Sequence, residues 1–393
     1  MKARILLASA LALLLFLAAH LAHFGWRSSA LCDFGSEPLE DVKDSRYKVS
    51  AARTFRPGFV IMDGQDRGGY DGQYYFFVAC DPLARHTEGG WADPYYWQRI
   101  LHSALSWILA WGEPGRIPLT MAAVTLLAVL LGSWCLLELG AGAWVLMYAL
   151  AAGHLYGLQR GVGGPALSLA LSLSALLVWK RGRPLFCAVL LAAALLARES
   201  AILVVLPLAL WAFLEGKRRD ALLVLLSLLP LMAWNLHLNS RLGSLGLANS
   251  GHHVTFPLFG MLERTLALKG SGVDFSASGR GLANNAVLLA FLAYGLWTAV
   301  DACRNLLRKG PSLWSLLYLG HALFFCCLTK GQLVDLNGAT RPFLPVLPFL
   351  LLARGGDKGR GDWSLWILLT GSFLLSAAVA VKTALAHPEF HVL

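Results

Sequence analysis

Eleven apolar runs follow one another along this chain, and short clusters of Lys and Arg separate many of them. They reach from near the N-terminus to Phe24, then approximately over 119–137, 143–156, 165–179, 184–197, 201–214, 220–237, 284–302, 312–328, 342–353 and 363–385. A transmembrane helix needs about 20 residues, so the shorter runs must borrow from their flanks. Composition agrees with this pattern. Of 393 residues, 57% are hydrophobic and only 14% charged, with mean hydropathy +0.58. Soluble domains are about 45–50% apolar and about 25% charged. A soluble enzyme, a disordered chain and a fibrous repeat are thereby excluded, and an all-α polytopic membrane protein is expected. The stretch after Met1-Lys2-Ala3-Arg4 is longer than a usual signal-peptide core, and its end, HLAHFGW, offers no small-residue cleavage site. It reads as a retained first span.

Basic residues in short loops set orientation. The clusters are Lys2/Arg4, Lys180/Arg181/Arg183, Lys217/Arg218/Arg219, Arg304/Arg308/Lys309 and Arg354/Lys358/Arg360. All fall on one side if the runs alternate as spans. That predicts eleven transmembrane helices in the inner (plasma) membrane, with the N-terminus cytoplasmic and the C-terminus extracytoplasmic. The net charge of +10 is thus explained by orientation, and no nucleic-acid partner is expected. Gln98–Trp111 would reverse every later cluster if it crossed. Its 14 residues reach about 21 Å as a helix, against a core of about 30 Å. Its apolar residues Ile100, Leu101, Leu105, Ile108 and Leu109 recur at helical spacing, which suits an interfacial helix.

The whole chain, 1–393, then forms one transmembrane domain with no soluble C-terminal domain. Residues 25–117 make a large first extracytoplasmic loop holding 12 of the 23 acidic residues. A second covers 238–283, with a further interfacial helix expected over 257–268. Cys32 and Cys80 share the first loop and could pair in an oxidising compartment. No CxxC pair and no Cys/His cluster has metal-ligand spacing.

The densest polar and aromatic stretch runs from Met62 to Phe76 and repeats Asp-Gly-Gln, at 63–65 and 71–73. An acid at the mouth of a membrane cavity, flanked by aromatics, suits a general base acting on a hydroxyl. Glycine beside it allows close approach of a ligand. The alternative is an Asp-Gly turn on the surface.

GYDGQYYFFVACDP followed by PYYWQRIL resembles a pattern in bacterial membrane proteins of the GT-C glycosyltransferase superfamily. LLARESAILVV (195–205) and ATRPFLPVLPFLLLA (339–353) resemble its later marks in the same order. The resemblance implies a GT-C-like bundle with interfacial helices in its first outer loop. It implies transfer of a sugar from a polyprenyl-phosphate donor to an acceptor hydroxyl on the outer face, with inversion. The acceptor class is open: lipid, glycan or protein. By motif, the catalytic base is Asp71, with Asp63 of the duplicate triplet as runner-up. Gln73, Tyr74 and Tyr75 fall in the substrate-binding stretch.

The leaving phosphate needs positive charge, and Arg binds phosphate oxygens bidentately. Outer-side candidates are Arg341, Arg198, Arg160 and Lys330 for the donor phosphate, with Arg99 as a further substrate contact; each is also placed as an interfacial snorkelling residue would be. Glu199, between two apolar runs, is costly unless functional or paired with Arg198. His252 and His253 could touch a sugar or phosphate, or be merely exposed. Asp335 and Asn337 are candidate acceptor contacts. His154, His237 and His321 lie in or near spans and read either as lining a cavity or, the preferred reading, as buried, hydrogen-bonded histidines. Where GT-C relatives often place an acid before a Pro, this chain has Gln159-Arg160-Gly161-Val162-Gly163-Gly164-Pro165, so a metal-independent enzyme without cofactor is expected. The rival readings are a transporter or flippase of a lipid-linked saccharide, and a non-catalytic scaffold. Transporters commonly show paired halves and helices broken at matched positions, which this sequence does not display.

Overall fold

The computed structural model describes residues 1–32, 34, 60–63, 71–85, 94–243, 257–258, 260–262, 279–328, 344–354 and 389–392. Helices dominate. In chain order they are α1 (Lys2–His23), α2 (Asp71–Cys80), α3 (Pro94–Trp97), α4 (Ile100–Leu109), α5 (Ile117–Leu139), α6 (Val145–Ala149), α7 (Ala152–Gln159), α8 (Gly164–Lys180), α9 (Pro184–Ala197), α10 (Ile202–Leu214), α11 (Arg218–Leu226), α12 (Leu229–Leu242), α13 (Gly279–Lys309), α14 (Leu313–Cys326) and α15 (Val346–Arg354). Two short strands, β1 (Val60–Asp63) and β2 (Glu389–Val392), pair antiparallel from Val60↔Val392 to Asp63↔Glu389.

Local chemistry explains the helix limits. Proline sits in the first turn of α5, α8, α9 and α12, where its missing N–H costs nothing. Gly140 and Gly243 close α5 and α12 in left-handed conformations, as C-terminal glycines do. The Ser312 hydroxyl accepts a hydrogen bond from the Ser315 N–H at the start of α14.

Among the described residues, three stretches are long and apolar enough to cross a membrane: Lys2–His23, Pro114–Leu139 and Arg218–Leu242. Five shorter apolar helices accompany them. Their exteriors are inverted relative to a water-soluble protein. Leu7, Leu11, Leu14 and Leu15 form an exposed stripe on α1, and Leu229, Met232 and Leu236 on α12. Water tolerates such patches poorly; a bilayer does not penalise them. α4 carries the same inversion. His102, Ser103 and Ser106 face the protein, while Trp107, Ile108 and Leu109 are exposed.

The apolar runs of the sequence become helices, most at close to their expected limits, but the run at 220–237 is divided into α11 and α12 and that at 284–302 lies inside the longer α13. The run at 143–156 is not one helix but two, α6 and α7, broken at Leu150–Ala151, where Ala151 is extended. Every residue from Tyr148 to Gln159 except Leu150 is buried, so packing on all sides replaces the regularity a lipid-facing helix would need. The expected helix at 257–268 and the run at 363–385 lie largely or wholly outside the described residues.

Ion pairs fix which helix ends lie together. Lys2 at the start of α1 meets Glu138 at the end of α5, 2.8 Å apart. Arg354 at the end of α15 meets Asp301 near the end of α13, and Asp301 also accepts from the Tyr318 hydroxyl. The opposite end gathers α2, α3, the turn at Arg160–Gly163, the Arg198–Ser200 connection and the end of α12, where Trp234 donates to the Trp97 carbonyl at 2.8 Å. One large apolar cluster joins α1, α5, α8 to α12 and α13 to α15.

Candidate functional site

Asp71 is the first residue of α2, where a carboxylate is favoured by the helix dipole. The next residue shows why the motif needs glycine. A Cβ on Gly72 would collide with the Arg160 carbonyl and approach that of Cys32, so α2 can butt against the Arg160 turn only without a side chain. Gln73 is fully buried behind it.

Four tyrosines surround the acid. The Tyr96 hydroxyl donates to Asp71 Oδ1 at 3.3 Å. Its ring stacks on Tyr74, centroids 4.5 Å apart, and meets Tyr75 and Tyr95 edge-on at 5.6 and 5.2 Å. Burial and the adjacent Asp71 carboxylate both push the Tyr96 hydroxyl far up, so it stays protonated and acts as a donor.

Arg99 ties this cage to the helical bundle. Its Nε and Nη2 donate to the two Glu199 oxygens at 2.9 and 2.5 Å, and Nη1 donates to the Tyr75 hydroxyl at 3.1 Å. Its guanidinium also lies 4.2 Å over the Tyr95 ring. Burial opposes ionisation of Glu199, but the Arg99 guanidinium more than offsets it and holds the carboxyl at about 2. Arg99 and Glu199 were expected to contact substrate; the structure pairs them with each other. The partner of Glu199 is Arg99, across 100 residues, rather than the neighbouring Arg198 proposed for the salt bridge.

The remaining candidates divide. Arg160 lies at the end of α7, its backbone against Gly72 and its guanidinium 5.0 Å over the Tyr156 ring. Arg198, in extended backbone between α9 and the turn before α10, lines a small, partly open groove with Ser168, Ser172, Ser200 and His321. Asp63 ends β1, opposite Glu389, and does not share the helix that carries Asp71. Arg341, Lys330, His252, His253, Asp335 and Asn337 lie outside the described residues. Cys32 and Cys80 are not joined in a disulfide. Burial, with Asp81 adding to it, pushes the Cys80 thiol well up. The two cysteines pack within one apolar cluster rather than forming a bridge.

Two contacts escaped sequence reading, and one expectation is corrected. Tyr96 was visible only as an aromatic in PYYW. His102 bridges helices: Nε2 lies 3.3 Å from the Met121 carbonyl and 3.2 Å from Thr125 Oγ1. A Cβ on Gly163 would strike both His102 and Thr125. Burial holds His102 down at about 4. His154, expected to be hydrogen-bonded, has neither ring nitrogen bonded; it packs edge-on against Tyr148 instead, 4.7 Å away. Among the described residues, no group of three His, Cys, Asp or Glu is placed to hold a metal.

Fold and site together define a helical membrane protein with a polar, aromatic centre at one end of its bundle. No known protein family, no characterised protein and no solved structure matches the chain.

Proposed function

We propose that the chain is an inverting, polyprenyl-phosphate-dependent glycosyltransferase of GT-C type, working on the outer face of the plasma membrane with Asp71 as general base. The observation that carries this reading is the continuous set of contacts from Asp71 through Tyr96, Tyr75, Arg99 and Glu199 to the connection bearing Arg198. It puts an acid and a cation-lined groove at the same end of the bundle. Three stretches long and apolar enough to cross a membrane, with five shorter apolar helices beside them among the described residues, support a multi-pass topology, which we read as eleven spans. β2, which lies beside the first loop, agrees with that count.

In this reading the acceptor hydroxyl loses its proton to Asp71 as its oxygen attacks the anomeric carbon. The bond from that carbon to the phosphate oxygen breaks, and the electron pair leaves on the polyprenyl phosphate. Arg198 takes up the developing charge. The Tyr96 hydroxyl orients the carboxylate without removing its negative charge. Acceptor recognition falls to the two outer loops.

The test is Asp71→Asn in purified protein with a polyprenyl-phosphate sugar donor. Transfer should fall at least a hundredfold, the range general-base loss covers, with thermal stability close to wild type. Full transfer in this variant would remove Asp71 from the role. Passage of lipid-linked saccharide across vesicles by the same variant would favour the transporter reading.

A further inference from the structure

The groove beside Arg198 contains a histidine to which no role has yet been given. His321 is 4% exposed, and its ring lies against Phe349, centroids 4.5 Å apart. Its Nδ1 is 2.8 Å from the Leu317 carbonyl. A carbonyl only accepts, so Nδ1 must carry a proton. In the neutral ring Nε2 therefore holds a lone pair. No partner is present for Nε2 among the described residues, and the side chain lines the groove with Arg198, Ser168, Ser172 and Ser200. α10, whose Leu203 and Val204 line the groove, also exposes Ile202, Leu206 and Leu210 at successive turns, an apolar face on which an alkyl chain could lie.

We infer that this groove receives a lipid phosphate and that His321 Nε2 reads the phosphate O–H, so that the site holds a phosphate monoester in preference to a phosphodiester. A monoester is protonated in part near neutral pH, its second ionisation lying at about 6. It thus offers one O–H to the Nε2 lone pair while its charged oxygens face Arg198. A diester has no such proton. Where it meets Nε2, two acceptors face each other and one hydrogen bond is lost. For the proposed reaction, which this inference rests on only for the isoprenoid nature of the chain, the donor is the diester and the leaving lipid the monoester. His321 then favours the departing group over the incoming one.

The experiment measures binding in nanodiscs without acceptor, so it does not depend on transfer. Farnesyl phosphate and its methyl phosphodiester are titrated against wild type, His321→Leu, His321→Gln and Arg198→Ala at pH 6.5. One hydrogen bond to a charged group corresponds to roughly tenfold in affinity. Wild type should favour the monoester by about that factor, His321→Leu should bind both equally, and Arg198→Ala should weaken both. His321→Gln, whose amide can still accept, should keep part of the preference and shows whether a polar group at the site is tolerated by the fold. Inorganic phosphate binding as tightly as farnesyl phosphate would overturn a lipid occupant. An unchanged preference in folded His321→Leu would overturn the assignment of His321. Loss of transfer in Asp71→Asn with the monoester preference intact would separate this inference from the catalytic one.

Discussion

Replacing Glu199 by Gln leaves Arg99 charged in a site where it is 6% exposed. Breaking a buried ion pair from one side costs about 3–5 kcal/mol. Two features argue for the lower end. The Glu199 side chain keeps 19% exposure, and Arg99 retains the Tyr75 hydroxyl and the Tyr95 ring. The Glu199 carboxyl, held down at about 2 by the Arg99 guanidinium against the cost of burial, points the same way. The sign follows from the depressed value: this stability is present above pH 4.5 and is lost as pH falls through the folded value toward 2. The assay is reversible unfolding in mixed micelles at pH 7 for Glu199→Gln, Arg99→Met and the double variant. Each single variant should lose about 3 kcal/mol. The double should lose clearly less than their sum, because neither charge is then stranded. Additive losses, or single losses below about 1 kcal/mol, would mean that the pair is not the joint between the first loop and the bundle.

Gly72→Ala must push α2 away from the Arg160 carbonyl, so it should cost about 1–3 kcal/mol and lower transfer by disturbing Asp71; normal melting and activity would refute the close contact. For His102, held at about 4 by burial, the unfolded chain takes a proton first as pH falls below about 6.5 while the fold resists. Stability should therefore decline between pH 6.5 and 4, and the part assigned to His102 should vanish in His102→Gln, measured as melting temperature against pH. Cys303, exposed near the basic end of α13, should react with an impermeant thiol reagent from the cytoplasmic side, whereas buried Cys32 should react only after denaturation; outer-side labelling of Cys303 would reverse the orientation.

Much of the helical framework is readable from the apolar periodicity. α9 begins and ends where its run does, at 184 and 197, and α8, α10 and α14 differ by a residue or two. In a membrane-facing helix the apolar run is itself the structural cause. The break between α6 and α7 was hidden for the opposite reason: that segment is surrounded by protein, and its apolar residues record packing rather than length. Among the site residues, Asp71, Gln73, Tyr74 and Tyr75 were legible because they are contiguous. The joining of Arg99 to Glu199, and of Tyr96 to Asp71, depends on contacts between segments distant in sequence, which spacing cannot show. The β1–β2 pairing joins residues more than 300 apart and had no local signal.

A structure with a polyprenyl-phosphate sugar bound tests the central claim most directly. The account predicts the phosphate in the groove beside Arg198 and His321, with the anomeric carbon turned toward the Asp71 carboxylate and room for one hydroxyl between them. A headgroup seated at the Lys180–Arg183 end of the bundle, or a sugar held away from Asp71, would contradict it.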